Sequence, residues 1–309
     1  MGTFLKPLED KFEFVKTPES PGFIFSTDID HYALNYPGVR IWVTGENLIP
    51  DFNVVDYAIG FNDIHFGDRY LRWPLYRWHR TISECEDIRK RAIEKVPATH
   101  RARFCACVIS NVSNRQGPLA EICDALELYQ GMTYGGRWRN NIGRRVSDKV
   151  KLLQEHKFSI AFENTSYPGY TTEKIVDAFL AGTIPVYWGD PTVTQHFNPR
   201  AFVQCTNELS IPDVVKRIKE INESKEYYES MLREPIFTPM AGEDLRTEHL
   251  VEFVKNIFDQ PIEKVYRRNR SRWGIKYEEL LTRMYFNPLS HLVRLPKIWA
   301  VHSRNKKND

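Results

Sequence analysis

No run in this 309-residue chain approaches the roughly 20 consecutive apolar residues that carry a helix across a bilayer, so no helical membrane span is expected. The opening stretch, MGTFLKPLEDKFEF, lacks the basic start and apolar segment of a secretory signal, and none is expected. Cysteine is sparse. The five residues Cys85, Cys105, Cys107, Cys123 and Cys205 form an odd, scattered set without a C-x-x-C pair, which argues against a disulfide framework, a zinc site or a thioredoxin-like site. Reduced, mostly buried thiols in a cytosolic protein are the expectation. The nine histidines form neither H-x-H nor H-E-x-x-H, and the tripeptide GDP at 189–191 is not a metal-binding D-x-D, so no metal site is expected. Internal repeats and low-complexity segments are absent as well.

What is present fits a soluble globular protein: 42% hydrophobic and 27% charged residues, in a chain long enough for two domains and a sizeable core. The net charge of +3 conceals an asymmetry, because residues 264–309 carry +9 and the remainder −6. The basicity belongs to one end, not to the whole fold.

Short apolar runs punctuated by Pro and Gly dominate the N-terminal third (KFEFV, GFIFST, VRIWVTGEN, VVDYAIGF) and predict strands. The charged helical stretch ISECEDIRKRAIEKV, ending at Pro97, reads as a domain linker. A second series then opens: the strand RFCACVISN, a helix from about Leu119 to Leu128, a Gly135-Gly136 loop, the helix VSDKVKLLQEH and the strand FSIAF. Further on, TIPVYWG and AFVQC read as strands, and the helices near IPDVVKRIKEIN, KEYYESML and LVEFVKNIF follow. Strands alternating with helices predict βαβ units on a parallel sheet.

The most informative stretch is FENTSYPGYTTEKIVDAFLAGTIPVYWG, residues 162–189. A β-rich run stops at a polar loop holding the turn dipeptide Pro168-Gly169. Thr171 or Thr172 can cap the helix that follows, and Gly182 ends it. A loop at the carboxyl end of a parallel strand, beside a helix N-terminus, is where open α/β sheets bind ligands and where free N–H groups attract anions. Lys174 there would complete a cradle for a diphosphate, Glu173 suits two vicinal ribose hydroxyls, and Tyr167 and Tyr170 could flank a ring. The competing reading is an ordinary corner, with Glu173 complementing the helix dipole and Lys174 solvated.

The same residues resemble the signature of glycosyltransferase family 10, the α-1,3/4-fucosyltransferases: F-E-N, a variable spacer, then Y-x-T-E-K-[IL]. VTGENLIPDFNVVDYAIGF, FGDRYLRWPLY, CVISN, GGRWRNNIG, FNPRAFV and IFDQPIEKVYRR are similar to other family blocks, in the family's order, over roughly residues 23–270. The resemblance implies an α/β, GT-B architecture of two Rossmann-like domains facing a cleft, with a basic C-terminal helical tail. The implied boundaries are an acceptor-binding domain at 1–98, which looks shortened, a GDP-fucose-binding domain at 99–262, and a basic aromatic tail at 263–309. By the same resemblance, Lys174 neutralises the donor's diphosphate and Glu173 holds sugar hydroxyls. Tyr170, Asn164 and Asn111 line the donor pocket. Arg115 stands for the family's phosphate-binding arginine, with Arg137, Arg144 and Arg145 as substitutes.

Inverting transfer is a single in-line displacement that needs one carboxylate to accept the acceptor's proton. The resemblance assigns this to Glu46, after the strand VRIWV, with Asp28, Asp30, Asp51 and Asp63 as fallbacks. It implies GDP-fucose as donor, with no cofactor required, and the GlcNAc of a Galβ-GlcNAc acceptor receiving an α-1,3 or α-1,4 fucose in Lewis-type glycan synthesis. Basic and aromatic residues in the tail are suited to an anionic membrane surface more than to nucleic acid, which would put the protein in the cytoplasm, peripheral to the inner membrane. Two rivals remain: a GT-B transferase using another nucleotide sugar or acceptor, and a non-catalytic nucleotide-sugar-binding protein.

Overall fold

The computed structural model describes residues 7–17, 19–27, 31–78, 80–95, 101–110, 116–206, 210–244 and 246–286. The chain forms two compact units, one from residues 13–60, 65–71 and 255–309, the other from residues 1–12, 61–64 and 72–254.

In the first unit, β1 (Phe23–Ser26), β2 (Val39–Val43), β3 (Tyr57–Gly60) and β4 (Tyr70–Arg72) lie side by side in that order, β1–β2 and β2–β3 running parallel. β2 and β3 are buried along their whole length, as apolar runs in a parallel sheet should be. Arg40, inside β2, is the exception, and a buried ion-pair cluster answers it. Its amide donates to Asp56 Oδ2 at 2.9 Å, and its guanidinium lies 3.0 Å from Glu278 Oε2. Asp56 also pairs with the Arg268 guanidinium and accepts the amides of Arg267 and Arg268 at 2.8 and 2.9 Å. Arg268 Nε reaches Glu278 Oε1 at 3.1 Å. Burial, and then the neighbouring Arg268 charge, hold the Arg40 guanidinium below its usual pKa.

This cluster changes the expected domain boundaries. The residues after 262 are not a separate tail: as far as Phe286 they belong to the first unit, fastened to it through Arg268 and Glu278. Their helix, Arg272–Phe286, leaves Trp273, Ile275, Leu280 and Met284 exposed. Asn287 to Asp309, including Pro288, Pro296 and Trp299, lie outside the described residues. KFEFV forms no strand; Phe14 instead packs edge-on against Phe25 and Phe258, with ring centroids at 6.3 and 6.2 Å.

The second unit runs α1 (Ile82–Lys95), β5 (Arg103–Cys107), α2 (Leu119–Tyr129), β6 (Met132–Tyr134), α3 (Lys149–Leu153), β7 (His156–Phe162), α4 (Glu173–Leu180), β8 (Ile184–Trp188), β9 (Val203–Gln204), α5 (Ile211–Glu223) and α6 (Lys225–Arg233). Its sheet has the order β6-β5-β7-β8-β9, and every neighbouring pair is parallel. The alternating pattern read from the sequence is therefore the fold, an α/β unit with a doubly wound strand order. All five cysteines are buried and none forms a disulfide. α1 is not a linker. Cys85, Arg89 and Ala92 are buried and α1 packs on α4, so it joins the second unit and removes the expected boundary at 98. Arg89 sits over the Phe179 ring at 4.9 Å and donates to the carbonyls of Met231 and Glu234 at the end of α6, and burial lowers its pKa to about 10.

Candidate functional site

Strand order locates the site. Sequence neighbours of β5 leave it in opposite directions, β6 on one side and β7 on the other, and doubly wound sheets bind ligands at the carboxyl ends of the strands that flank such a switch. A pocket of 170 Å³ opens there, lined by Ser110 beyond β5, Ile160, Phe162 and Asn164 at the end of β7, Glu173 and Lys174 at the start of α4, and Lys149 at the start of α3.

Side-chain bonds, not helical propensity, set the loop between β7 and α4. Pro168-Gly169 makes a tight turn in which Tyr170 N–H donates to the Tyr167 carbonyl at 3.0 Å, with Gly169 at φ 81°, the left-handed conformation that glycine adopts freely. Buried Asp190 pins the turn. It accepts Gly169 N–H at 2.9 Å and the Thr171 hydroxyl at 2.8 Å, while Thr192 supplies its amide at 2.8 Å and hydroxyl at 2.7 Å. Thr172 occupies the N-cap position of α4, yet its hydroxyl makes no capping bond and donates to Glu163 instead. The expected cap is thus diverted to the site.

Glu163 directly follows β7 and its side chain has no accessible surface. It accepts Thr172 N–H at 2.8 Å, the Thr172 hydroxyl and, at 2.9 Å, the Lys174 ammonium. Burial raises the Glu163 carboxyl above its usual pKa, against the pull of Lys174 and Thr172. The pocket is accordingly built on an ion pair that the sequence reading did not anticipate, although F-E-N carried the residue.

Charges alternate along the pocket wall. Lys174 Nζ lies 4.0 Å from Glu173 Oε1, and Lys149 Nζ donates to Asp177 Oδ2 at 2.9 Å. Burial works to raise the Glu173 carboxyl, but Lys174 and then Lys149 hold it below the usual carboxylate value. It therefore stays ionised and able to accept hydroxyl protons. Lys149 is the residue that sequence reasoning missed. Its place in VSDKVKLLQEH read only as a helix start, where Asp148 caps the amide of Lys151 at 2.9 Å.

Of the predicted site residues, Asn164, Glu173 and Lys174 meet in this pocket. Tyr170 does not line it: the ring is buried against Phe61, at 5.2 Å between centroids, and Tyr167 meets the same Phe61 at 6.1 Å. Arg137, Arg144 and Arg145 are exposed and do not line it either. Asn111 and Arg115 lie outside the described residues, as do Asp28 and Asp30. The glycine loop has a packing reason, since a Cβ at Gly136 would stand 1.8 Å from the Ile109 carbonyl oxygen.

Glu46 belongs to the first unit, three residues past β2, in a tight turn where the Thr44 hydroxyl donates to the Glu46 carbonyl and accepts its amide, both at 3.0 Å. Its side chain is exposed.

Two family models match this chain in succession, with the break between residues 79 and 98. Residues 98–234 match glycosyltransferase family 10 (fucosyltransferase), C-terminal part, and residues 2–79 match the alpha-(1,3)-fucosyltransferase FucT N-terminal domain. The alpha-(1,3)-fucosyltransferase FucT of Helicobacter pylori is 33% identical over 74% of this chain and 54% of its own length, so this chain spans about half of that curated relative. A crystal structure of an α1,3-fucosyltransferase with GDP-fucose is similar at a TM-score of 0.68, with 31% identity over 82% of this chain and 81% of that one. A complex with GDP gives a TM-score of 0.72 and 30% identity over 86% of each chain.

Proposed function

This chain belongs to glycosyltransferase family 10, and we propose that it is an inverting α-1,3-fucosyltransferase that takes L-fucose from GDP-fucose to the GlcNAc of a Galβ-GlcNAc acceptor. The observation that carries the reading is the convergence of Lys174, Lys149, Glu173 and Asn164 on one pocket at the switch point of a parallel sheet. Two ammonium groups suit a diphosphate, and a carboxylate kept ionised suits the vicinal hydroxyls of a ribose. Glu46 is the proposed base, and Asn111 and Arg115 keep the donor-side roles that the family pattern gives them, whereas Tyr170, packed on Phe61, supports the loop from beneath. Charge on the departing diphosphate is assigned to side chains, with no cofactor, so turnover should persist in EDTA.

Incubation with GDP-fucose and type 1 and type 2 Galβ-GlcNAc disaccharides tests this directly. The expected result is release of GDP with a fucosylated trisaccharide, the α-1,3 product from the type 2 acceptor marking Lewis-type synthesis. GDP binding without transfer to either disaccharide would instead favour a non-catalytic nucleotide-sugar-binding protein.

A second part of the proposal concerns location. Among the described residues no helix is long and apolar enough to cross a membrane. The exposed Trp273, Ile275, Leu280 and Met284 of the C-terminal helix stand among Arg272, Lys276 and Arg283, the mixture that rests on an anionic bilayer surface, here the cytoplasmic face. Co-sedimentation with phosphatidylserine vesicles, weakened by salt and absent with phosphatidylcholine, is the expected behaviour.

A further inference from the structure

Lys174 is held from behind. Its ammonium donates to Glu163 Oε2 at 2.9 Å and to Thr172 Oγ1 at 2.8 Å, while the Thr172 hydroxyl donates in turn to Glu163 Oε2 at 2.8 Å. The three groups close a ring. An ammonium has three N–H donors, so two fixed bonds leave a single donor direction, and the Lys174 side chain, 19% exposed, forms part of the pocket wall. Lysine is otherwise a flexible point charge. Glu163 cannot turn away, because it also accepts the Thr172 amide at 2.8 Å and is wholly buried. The backbone makes room for it: at Gly189, with φ 152°, a Cβ would stand 2.5 Å from Glu163 Cγ.

We propose that Glu163 and Thr172 are the positioning residues of Lys174, fixing its remaining donor on the leaving diphosphate before the reaction begins. The inference rests on the donor reading given above. A bond set in advance matters most where charge grows, on the diphosphate oxygen as the glycosidic bond breaks. A loosened lysine can still find a bound diphosphate in the ground state. Loss of the ring should therefore fall on kcat and leave affinity for GDP nearly unchanged. Thr172 supports the assignment independently: a threonine serving only its helix would bond an amide of the first turn, and this one does not.

Two substitutions probe the ring. In Glu163→Gln the amide NH₂ must face either the Thr172 N–H or the Lys174 ammonium, both donors, so one arm opens. Thr172→Val keeps the backbone amide and the side-chain volume and removes only the hydroxyl. The first readout is the ¹⁵N–¹H resonance of the Lys174 ammonium, identified by its loss in Lys174→Ala and visible only while the group is held. The second is the rate of GDP release from GDP-fucose, with water or a disaccharide as acceptor.

The resonance should vanish in both variants. In Glu163→Gln kcat should fall about tenfold or more, with the Kd for GDP within about threefold of the wild type. Neither substitution should lower kcat further in a Lys174→Ala background, since both act through that lysine. A kcat within about twofold of wild type despite a lost resonance overturns the proposal, as does an equal fold-loss in the Lys174→Ala background. If Glu163→Gln does not fold, Thr172→Val decides by the same criteria. A wild type that cleaves no GDP-fucose overturns the donor reading instead. The ammonium resonance and its response to inorganic pyrophosphate then decide the ring alone: a signal that persists in both variants ends it.

Discussion

Lys149 Nζ lies 2.9 Å from Asp177 Oδ2, tying the first residue of α3 to the middle of α4 at the edge of the pocket. The bond keeps an ammonium beside Glu173, which Lys149 helps to hold in its ionised form. Lys149→Met should weaken GDP binding by about threefold to tenfold, roughly the contribution of one partly exposed charge-assisted contact. Guanosine affinity should fall less if the lysine faces phosphate. Calorimetric titration of both ligands checks this, and equal losses for the two would reassign Lys149 to supporting the ribose-binding carboxylate.

Lys174 and Glu46 should separate cleanly. Lys174→Ala removes the central cation of the pocket and is expected to raise the Kd for GDP by about tenfold or more. Glu46→Gln should leave GDP binding at wild-type strength and reduce fucosyl transfer by about a hundredfold or more, the scale of a lost general base. Equal GDP affinity in Lys174→Ala and wild type would end the donor-site assignment.

The raised pKa of Glu163 has a consequence for the acid side of the rate profile. As pH falls, Glu163 takes up a proton above the usual carboxylate range, the charge behind Lys174 disappears, and turnover drops. The sign for stability is opposite. A carboxyl with a raised folded pKa favours the folded state in its protonated form, so stability is regained as pH falls through that value. Activity should thus decline in this window while the thermal midpoint does not. In Glu163→Gln the upper acid limb should be missing, which a pair of pH–rate profiles will show.

Asp190 holds the turn before α4 through two hydrogen bonds from residues 169 and 171. Asp190→Ala leaves those buried donors only longer contacts, Gly169 N–H to Thr192 Oγ1 and the Thr171 hydroxyl to the Tyr187 hydroxyl, both at 3.3 Å, and should cost about 1–3 kcal/mol. Urea melts should register the loss, and GDP affinity should fall with it because the loop leads directly into Glu173 and Lys174.

Arg268→Met strands Asp56 as a buried charge. Breaking such a pair costs about 3–5 kcal/mol, so the denaturation midpoint should drop well below that of an exposed control such as Arg272→Met. Wild-type stability in Arg268→Met would show that the segment after residue 262 is not fastened as described.

Much of the second unit was legible because its signals are local. Alternating apolar runs gave β5, β7 and β8, Gly182 at φ 69° ended α4 where expected, and F-E-N with T-E-K marked the loop that carries the pocket. α1 was misread for a physical reason: its charged surface looked like a linker's, while Cys85, Arg89 and Ala92 on its other face are buried, Arg89 over the Phe179 ring of α4. Tyr170 was misread likewise. An aromatic in a polar loop suggested a ligand platform, but Phe61 covers it.

Sequence alone was enough for the order of strands and helices in the second unit and for the lysine of the pocket, since turn chemistry and side-chain periodicity act between near neighbours, and resemblance of its motif blocks pointed to the family. Tertiary structure alone decided that Asp190 pins a turn 21 residues earlier, that Lys149 joins Asp177, and that Arg268 completes a charge cluster with an aspartate 212 positions away. Such partners are chosen by burial: a charge removed from water must find its opposite wherever the folded chain brings one within reach, and no local pattern records where that is.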